Sequence, residues 1–463
     1  MSKALRRFDA YQPSAVRWVE NVPVHWRSRR IKTFLREVDE RSGTGEGALL
    51  TMRRASGLVP LSDFSDKVAE PERLRHYKLA SSGQVVMNPM QAGNGMFAIC
   101  YTPGLISPDY RAFELTDDAD ARYLIALFKS EAMRATFRAE SKGLGNGTAG
   151  FLRLYPERFG SLFAPFPPPE EQRRIADFLD AYTAEVHRLI AAKRRTIAAL
   201  IERKRSIITN RLYAISDAGS PPSPINPDWP FRAIKRIANV SFSSVDKHIY
   251  EHERQVRVCN YVDVYKNDRV GLATPLREGS VTEVEYENYA LKAGDVIVTK
   301  DSEDWKDICV PCLVTDDIPD TVCGYHLAIL RPKTEQISGE YLYFALLAAP
   351  TTWQFHKAAT GITRYGIGKN EIGAAVVPLP PRTEQDEICH ALALELESVD
   401  AAKDKVSREI DLILEFRDSL IAAIVTGQLD VREAAVRVVE GDDLADATAT
   451  DEEDMEDALD AVD

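Results

Sequence analysis

Pro165-Phe166-Pro167-Pro168-Pro169-Glu170-Glu171-Gln172 is a prolyl bridge that opens onto a long helical pattern. It returns 213 residues later as Pro378-Leu379-Pro380-Pro381-Arg382-Thr383-Glu384-Gln385. In that register, without a gap, Ile175 falls on Ile388, Leu179 on Leu392, Val186 on Val399 and Ser206 on Ser419. Proline lacks an N–H and biases its predecessor to extended geometry, so each bridge ends the element before it. Prolines at the start and Glu or Gln in the first turn then suit a helix N-terminus. A repeat of this length is too long for a solenoid unit and reads as a duplicated half-molecule. The order is globular domain, helix, globular domain, helix.

Working outward, both halves open alike. Asn21-Val22-Pro23-Val24-His25-Trp26 leads into Ile31-Lys32, and Asn226-Pro227-Asp228-Trp229 leads into Ile234-Lys235. Each Trp reads as a core anchor. Short Val/Ile-rich runs separated by Gly, Pro and Asn predict a mixed α/β domain in each half. Leu79 to Met87 and Leu291 to Val298 match, each with a glycine (Gly83, Gly294) before an apolar run. A helix is predicted after each, over Arg122 to Arg138 and Gly339 to Phe355. Glycine-bearing loops follow, Ser141 to Thr148 and Thr360 to Gly366.

The long helices carry a seam. In the second it runs Leu392, Leu396, Val399, Lys403, Val406, Ile410, Ile413, Arg417, Leu420, Ile424; in the first, Leu179, Thr183, Val186, Ile190, Lys193, Ile197, Leu200, Lys204, Ile207, Arg211. Steps of four and three average 3.5 residues, the coiled-coil period. Neither seam is fully apolar, so each helix is expected to need the other. Antiparallel pairing would bring the end of the first helix to the start of the second, and the second domain would cap that end of a dumbbell. About 40 residues of helix span roughly 60 Å.

Charge divides unevenly. The net −13 conceals a first half, residues 1–215, with 34 basic and 24 acidic residues, and a stretch 216–439 with 24 basic and 35 acidic. Residues 440–463 hold 12 Asp/Glu and no Lys/Arg. The first half suits a phosphate-bearing partner, while the second needs a local patch. Ser216 to Pro230 reads as a linker, and the aromatic-free acidic tail is expected to be disordered. No run approaches the ~20 apolar residues of a membrane span and Met1 to Arg7 has no apolar leader core, so the expected location is cytoplasmic.

Catalytic patterns are sparse. Asn88-Pro89-Met90-Gln91 differs from the Asn-Pro-Pro-aromatic loop of amino-methyltransferases by lacking the second proline and the ring. Gly145-x-Gly147-x-x-Gly150 fits a dinucleotide glycine pattern but precedes no crossover helix, so a loop is the better reading. Cys309-Val-Pro-Cys312 has metal or redox spacing, with Cys323, Cys259 and His326 as further ligand candidates. The favoured reading is an apolar strand with buried thiols. The chain reads as non-catalytic, and a duplicated non-enzyme suits two unlike half-sites on one duplex.

The doubled Pro-Leu/Phe-Pro-Pro-x-x-Glu-Gln-x-x-Ile before a long helix resembles the specificity subunits of type I restriction-modification systems. Ser419-Leu-Ile-x-x-Ile-Val-Thr-Gly-Gln-Leu-Asp430 is similar to the end of that family's second conserved helix, and Trp26 and Trp229 to the openings of its recognition domains. Leu212-Tyr213, closing the first helix, departs from the Thr-Gly found at the second. The resemblance implies an α+β chain in which two mixed α/β target-recognition domains, 1–165 and 216–377, alternate with conserved helical regions, 166–215 and 378–433, forming an antiparallel coiled coil. An acidic tail, 434–463, follows. It implies reading of a bipartite, asymmetric sequence in double-stranded DNA. Two methyltransferase subunits and restriction/translocase subunits would be partners, bringing S-adenosylmethionine, ATP and Mg, with no cofactor or metal in this chain. The competing reading is a coiled-coil scaffold that assembles partners without DNA contact; a stand-alone restriction enzyme is opposed by the missing catalytic motifs.

Base-reading residues do not carry over from the family, whose recognition domains vary. Residue chemistry alone selects polar loop positions able to reach base edges or phosphates. In the first domain these are Arg53, Arg54, Gln91, Asn94, Lys142 and Asn146. In the second they are Lys300, Trp305, Lys306, Thr363, Arg364, Tyr365 and Lys369. Arg53-Arg54 and Thr363-Arg364-Tyr365 are the preferred pair of segments.

Overall fold

The structure is a computed structural model. It describes residues 5–54, 56–64, 70–144, 151–215, 221–246, 248–362 and 364–434. The acidic tail beyond residue 434, the Gly145–Gly150 pattern and part of the Ser216–Pro230 linker lie outside the described residues. The prolyl bridges launch two helices of 44 residues each, α1 (Pro169–Leu212) and α2 (Arg382–Val425). The chain divides into two compact units, Met1–Arg194 with Arg408–Asp463, and Arg195–Ser407. Both boundaries cut the long helices, so each unit owns a segment of α1 and a segment of α2.

In the first unit the sheet order is Leu35–Val38, Arg111–Leu115, Val85–Met87, Phe97–Ile99, all antiparallel. In the second it is Ala238–Phe242, Leu327–Pro332, Val296–Thr299, Pro311–Val314, with Arg269–Val270 added in parallel at the edge. The same four-strand order therefore occurs twice. Gly83 and Gly294 sit at φ +85° and +86° before equivalent strands, a left-handed turn that residues with a Cβ resist.

The expected single helices over 122–138 and 339–355 are each broken in two. The first becomes Ala121–Lys129 and Glu131–Glu140, the second Gly339–Leu347 and Ala349–Ala358. Ser130 and Ala348 are extended at the breaks. Pro350 cannot continue a helix through its own N–H, and the Ser130 hydroxyl caps the Leu127 carbonyl at 2.7 Å.

Why the helices follow the bridges is visible at the motif glutamines, both fully buried. The Gln172 Oε1 accepts from the Asp120 N–H at 2.9 Å, and its Nε2 donates to the Asp118 and Pro167 carbonyls at 3.0 and 2.8 Å. Gln385 repeats this, accepting from the Ser338 N–H at 3.0 Å and donating to the Gln336 and Pro380 carbonyls, both at 2.9 Å. Asp120 and Ser338 are the N-cap residues of the domain helices. The motif glutamate takes the indole: Trp26 Nε1 donates to Glu171 at 3.1 Å, and Trp229 Nε1 to Glu384 at 2.9 Å. A domain tyrosine completes each latch, Tyr123 donating to the Pro165 carbonyl at 3.0 Å and Tyr341 to that of Pro378 at 2.9 Å. Both tryptophans are buried core anchors.

Within each unit the two helix segments run in opposite directions. In the first, Leu179 shares a core with Ile424, and Lys193 meets Glu409 at 2.6 Å. In the second, Lys204 meets Asp400 at 2.8 Å and Arg211 pairs with Glu395. The charged seam positions of α1, Lys193, Lys204 and Arg211, are thus answered by carboxylates from the facing helix. Lys204 and Lys403 also converge on Asp268 at 2.9 and 3.2 Å. Burial works to raise the Asp268 carboxyl, but Lys204 and then Lys403 outweigh it and hold it below the usual carboxylate value.

A group depressed in the folded state contributes stability above its unfolded pKa of about 4, and that contribution is lost as pH falls through the lower folded value. Asp268→Asn is expected to cost the second unit about 1–2 kcal/mol at pH 7, a figure reduced because the carboxylate is part-exposed. The loss should shrink below about pH 4. Urea midpoints for both proteins at pH 7 and pH 3 measure it.

The α2 helix ends at Gly427, φ +75°, whose N–H bonds the Ile424 carbonyl at 3.0 Å while the Gln428 N–H bonds that of Ala423 at 2.7 Å. At the end of α1, Tyr213 takes another course: Tyr213–Ala214 pairs with Ser223–Pro224, and the buried phenol meets the Thr351 hydroxyl at 2.8 Å. Cys309 faces one core, while Cys259, Cys312 and Cys323 face another. Burial pushes Cys312 up to about 12 and the others upward, as expected of thiols packed in an apolar core. Among the described residues no helix is long and apolar enough to cross a membrane.

Candidate nucleic-acid interface

In the first unit, Arg53 ends the hairpin Leu50–Arg53/Gly57–Pro60, and its guanidinium lies 4.0 Å over the Phe64 ring. Arg54 follows at the turn, half-buried, its carbonyl accepting from Lys129 Nζ at 3.4 Å. Burial, then repulsion from Arg134, lower the Arg54 guanidinium from its ordinary value, with Asp418 and Glu131 opposing. Gln91 and Asn94 are exposed and bracket the 3-10 turn Ala92–Asn94. Arg138 and Arg134 hold that turn through the Gly93 carbonyl, at 2.7 and 3.4 Å. Lys142, exposed, begins the strand Lys142–Leu144, which pairs with Phe151–Arg153. The Leu154 N–H then ties this hairpin to the Pro89 carbonyl at 2.9 Å. Asn146 lies outside the described residues.

Sequence reasoning missed Lys129, Arg134 and Arg138. The helix assignment hid them as face residues of a single helix. The signal was the 134/138 spacing, which puts both arginines on one face.

In the second unit, Asp301–Ser302, Tyr365–Gly366 and Thr360–Gly361 form a small sheet. The Lys300 N–H bonds the His326 carbonyl at 3.1 Å, and the Ile367 N–H the Lys300 carbonyl at 3.0 Å. This brings Lys300, Arg364 and Tyr365 together with Asp301, which sequence reasoning left out, and His326, which it weighed only as a metal-ligand candidate. Lys300 Nζ meets the Asp301 carboxylate at 2.7 Å, and His326 Nδ1 meets it at 3.0 Å. Burial tends to raise that carboxyl, but the His326 and Lys300 hydrogen bonds prevail and lower it.

Trp305 and Lys306 lie on the adjoining 3-10 turn Trp305–Asp307, capped by Asp304. The Trp305 ring meets His356 edge-to-face at 5.1 Å. Burial lowers the His356 imidazole from its usual value. Lys369 is exposed at the start of the helix Lys369–Ala374, on an open groove that Lys235, Asn239 and Ser241 also line. Thr363 lies outside the described residues.

The two units present different chemistry. The first offers a cluster of arginines around a polar turn. The second offers a ribbon with aromatic, histidine and cationic groups. Fixed N–H donors beside exposed amides match the acceptors of base edges and phosphates.

No family model matches the sequence, and no curated protein does. A chain from a solved structure described as the structural basis underlying complex assembly and conformational transition of the type I R-M system is similar in fold. It has a TM-score of 0.54 and 14% identity, over 88% of this chain and 99% of that one. The HsdS subunit from Thermoanaerobacter tengcongensis aligns at TM-score 0.39 and 15% identity, over 88% and 98%. The type I restriction-modification system S subunit from M. genitalium aligns at 0.32 and 14%, over 86% and 96%. At these identities the likeness is one of fold.

Proposed function

We propose that this chain is the DNA sequence-specificity subunit of a type I restriction-modification complex. The observation that carries the proposal is the doubled latch: one chain builds the same four-strand order twice and hangs each copy on a long helix by the same buried Gln, Glu–Trp and Tyr contacts. The end-to-end likeness to a chain of a type I R-M structure supports it. A duplicated scaffold with unlike reading surfaces suits a bipartite target whose halves differ, because each surface sets its own half-site.

The chain itself is non-catalytic in this reading. Methyl transfer, with S-adenosylmethionine, belongs to two methyltransferase subunits docked on the helices, and ATP and Mg to restriction/translocase subunits. Exposed Leu189, Leu412 and Phe416 on the helix segments of the first unit, and Leu394 on that of the second, support such docking, since apolar side chains in solvent favour a protein partner. The recognition domains are 1–165 and 216–377, and their polar loops contact the duplex.

Genome-wide mapping of methylated adenines with and without this gene tests the proposal. A split motif that vanishes on deletion is expected. Exchange of residues 216–377 for the matching domain of a relative should change one half of the motif and keep the other. An unchanged methylation pattern on deletion would leave the scaffold reading standing.

A further inference from the structure

Resting on the proposed function, we infer that His326 is a positioning residue that holds Arg364 flat at the tip of a β-ribbon, so that Arg364 reads a guanine in the major groove. Arg364 Nη2 lies 3.1 Å from Nδ1 and 3.2 Å from Nε2 of His326. An atom at those distances from both ring nitrogens cannot lie in the imidazole plane, where it would overlap the carbon between them. It lies over the ring face, so Nη2 packs on the imidazole π-surface rather than forming a pair of in-plane hydrogen bonds.

The ring is itself fixed. Its Nδ1 is 3.0 Å from the Asp301 carboxylate, which Lys300 also binds. An ionised Asp301 accepts the Nδ1 proton, setting the tautomer and the ring's orientation. The Tyr325 ring packs against the same imidazole at 3.6 Å between centroids.

Arg364 belongs to a tight ribbon. Thr360–Gly361 pairs with Tyr365–Gly366, and a Cβ at Gly361 would stand 2.0 Å from the Arg364 carbonyl oxygen. Ile362, beside it, is 90% exposed. A two-stranded ribbon fits the major groove, where a planar guanidinium matches guanine O6 and N7 and an apolar side chain meets a thymine methyl. No carboxylate among the described residues pairs with Arg364. Arg364 is exposed, so its guanidinium is accessible to a partner while Nη2 rests on the His326 ring. A guanidinium held in one plane can fork two phosphate oxygens as well as guanine O6 and N7, and the two contacts differ in that only the second depends on sequence.

The test uses the complete complex, purified from cells expressing this chain with its partner subunits. Methyl transfer is measured on duplexes in which each position of the wild-type motif is replaced in turn. Arg364→Ala is expected to relax discrimination at a single G·C pair by about ten-fold to a hundred-fold and to leave the other positions intact. His326→Ala should relax the same pair, and His326→Phe, which restores a flat face, should keep it. Uniform weakening on all duplexes by Arg364→Ala would make the residue a phosphate contact and overturn the inference. So would undiminished discrimination in His326→Ala. A wild-type complex with no motif at all would defeat the proposed function instead, and a wild-type motif untouched by Arg364→Ala would defeat this inference alone.

Discussion

Gln385→Ala is expected to destabilise the second unit by about 3 kcal/mol, and Gln172→Ala the first by a similar amount. Each amide is fully buried and serves three main-chain groups, one N–H and two carbonyls. A buried polar group that loses its partner costs about 1–3 kcal/mol, and water entering the vacated space recovers part of that. Substitution by Glu discriminates geometry from size. It keeps the acceptor for the Asp120 or Ser338 N–H but sets a carboxylate oxygen against two carbonyls. Gln→Glu should therefore be destabilising at pH 7 and recover in part on acidification, when a neutral acid can donate once. Denaturant unfolding of the single and double variants measures this. Additive losses would place the two latches in separate units, since distant sites act independently.

Trp26→Ala is expected to cost about 3–5 kcal/mol, the range for removing a large buried aromatic. Its ring packs near Phe8 at 5.9 Å between centroids, and a Cβ at Gly427 would lie 3.0 Å from it, so the site is closely filled from the α2 end as well. Its loss also removes the N–H from a Glu171 carboxylate that is only 6% exposed, leaving His25 as the remaining partner at 2.7 Å. Trp26→Phe should cost less, because the ring stays and the N–H goes. Trp229→Ala should also cost less than Trp26→Ala, because Glu384 is half-exposed and water can replace the indole N–H. Thermal midpoints of the three variants order these effects, and a larger loss for Trp229→Ala would contradict this account of the latch.

Much of this architecture was legible before any coordinates. Two proline-rich bridges at a fixed offset, a 3.5-residue seam and repeated Trp openings specify two long helices and a duplicated domain, because proline chemistry and periodicity act locally along the chain. The seam's weakness was legible too: Lys193, Lys204 and Lys403 interrupt it in the sequence. What answers them was not. Glu409 and Asp400 lie on the facing helix, α2, and Asp268 comes from the domain. An ion pair between residues 64 to 216 positions apart leaves no local trace.

The candidate surfaces divide the same way. Arg364 and Arg53 announced themselves as cations in turn-rich segments. The supports did not, since His326 reaches Arg364 only once a strand pairing brings residues 301, 326 and 364 together. Arg134 and Arg138 were concealed because the pattern read as one helix, whereas the chain breaks at Ser130, whose hydroxyl bonds the Leu127 carbonyl. Sequence alone determined the duplication, the helices and the types of residue available to a polyanion, because those depend on composition and short-range spacing. Tertiary structure decided which charges are neutralised inside the fold and which remain oriented outward, because that depends on contacts only the folded chain can make.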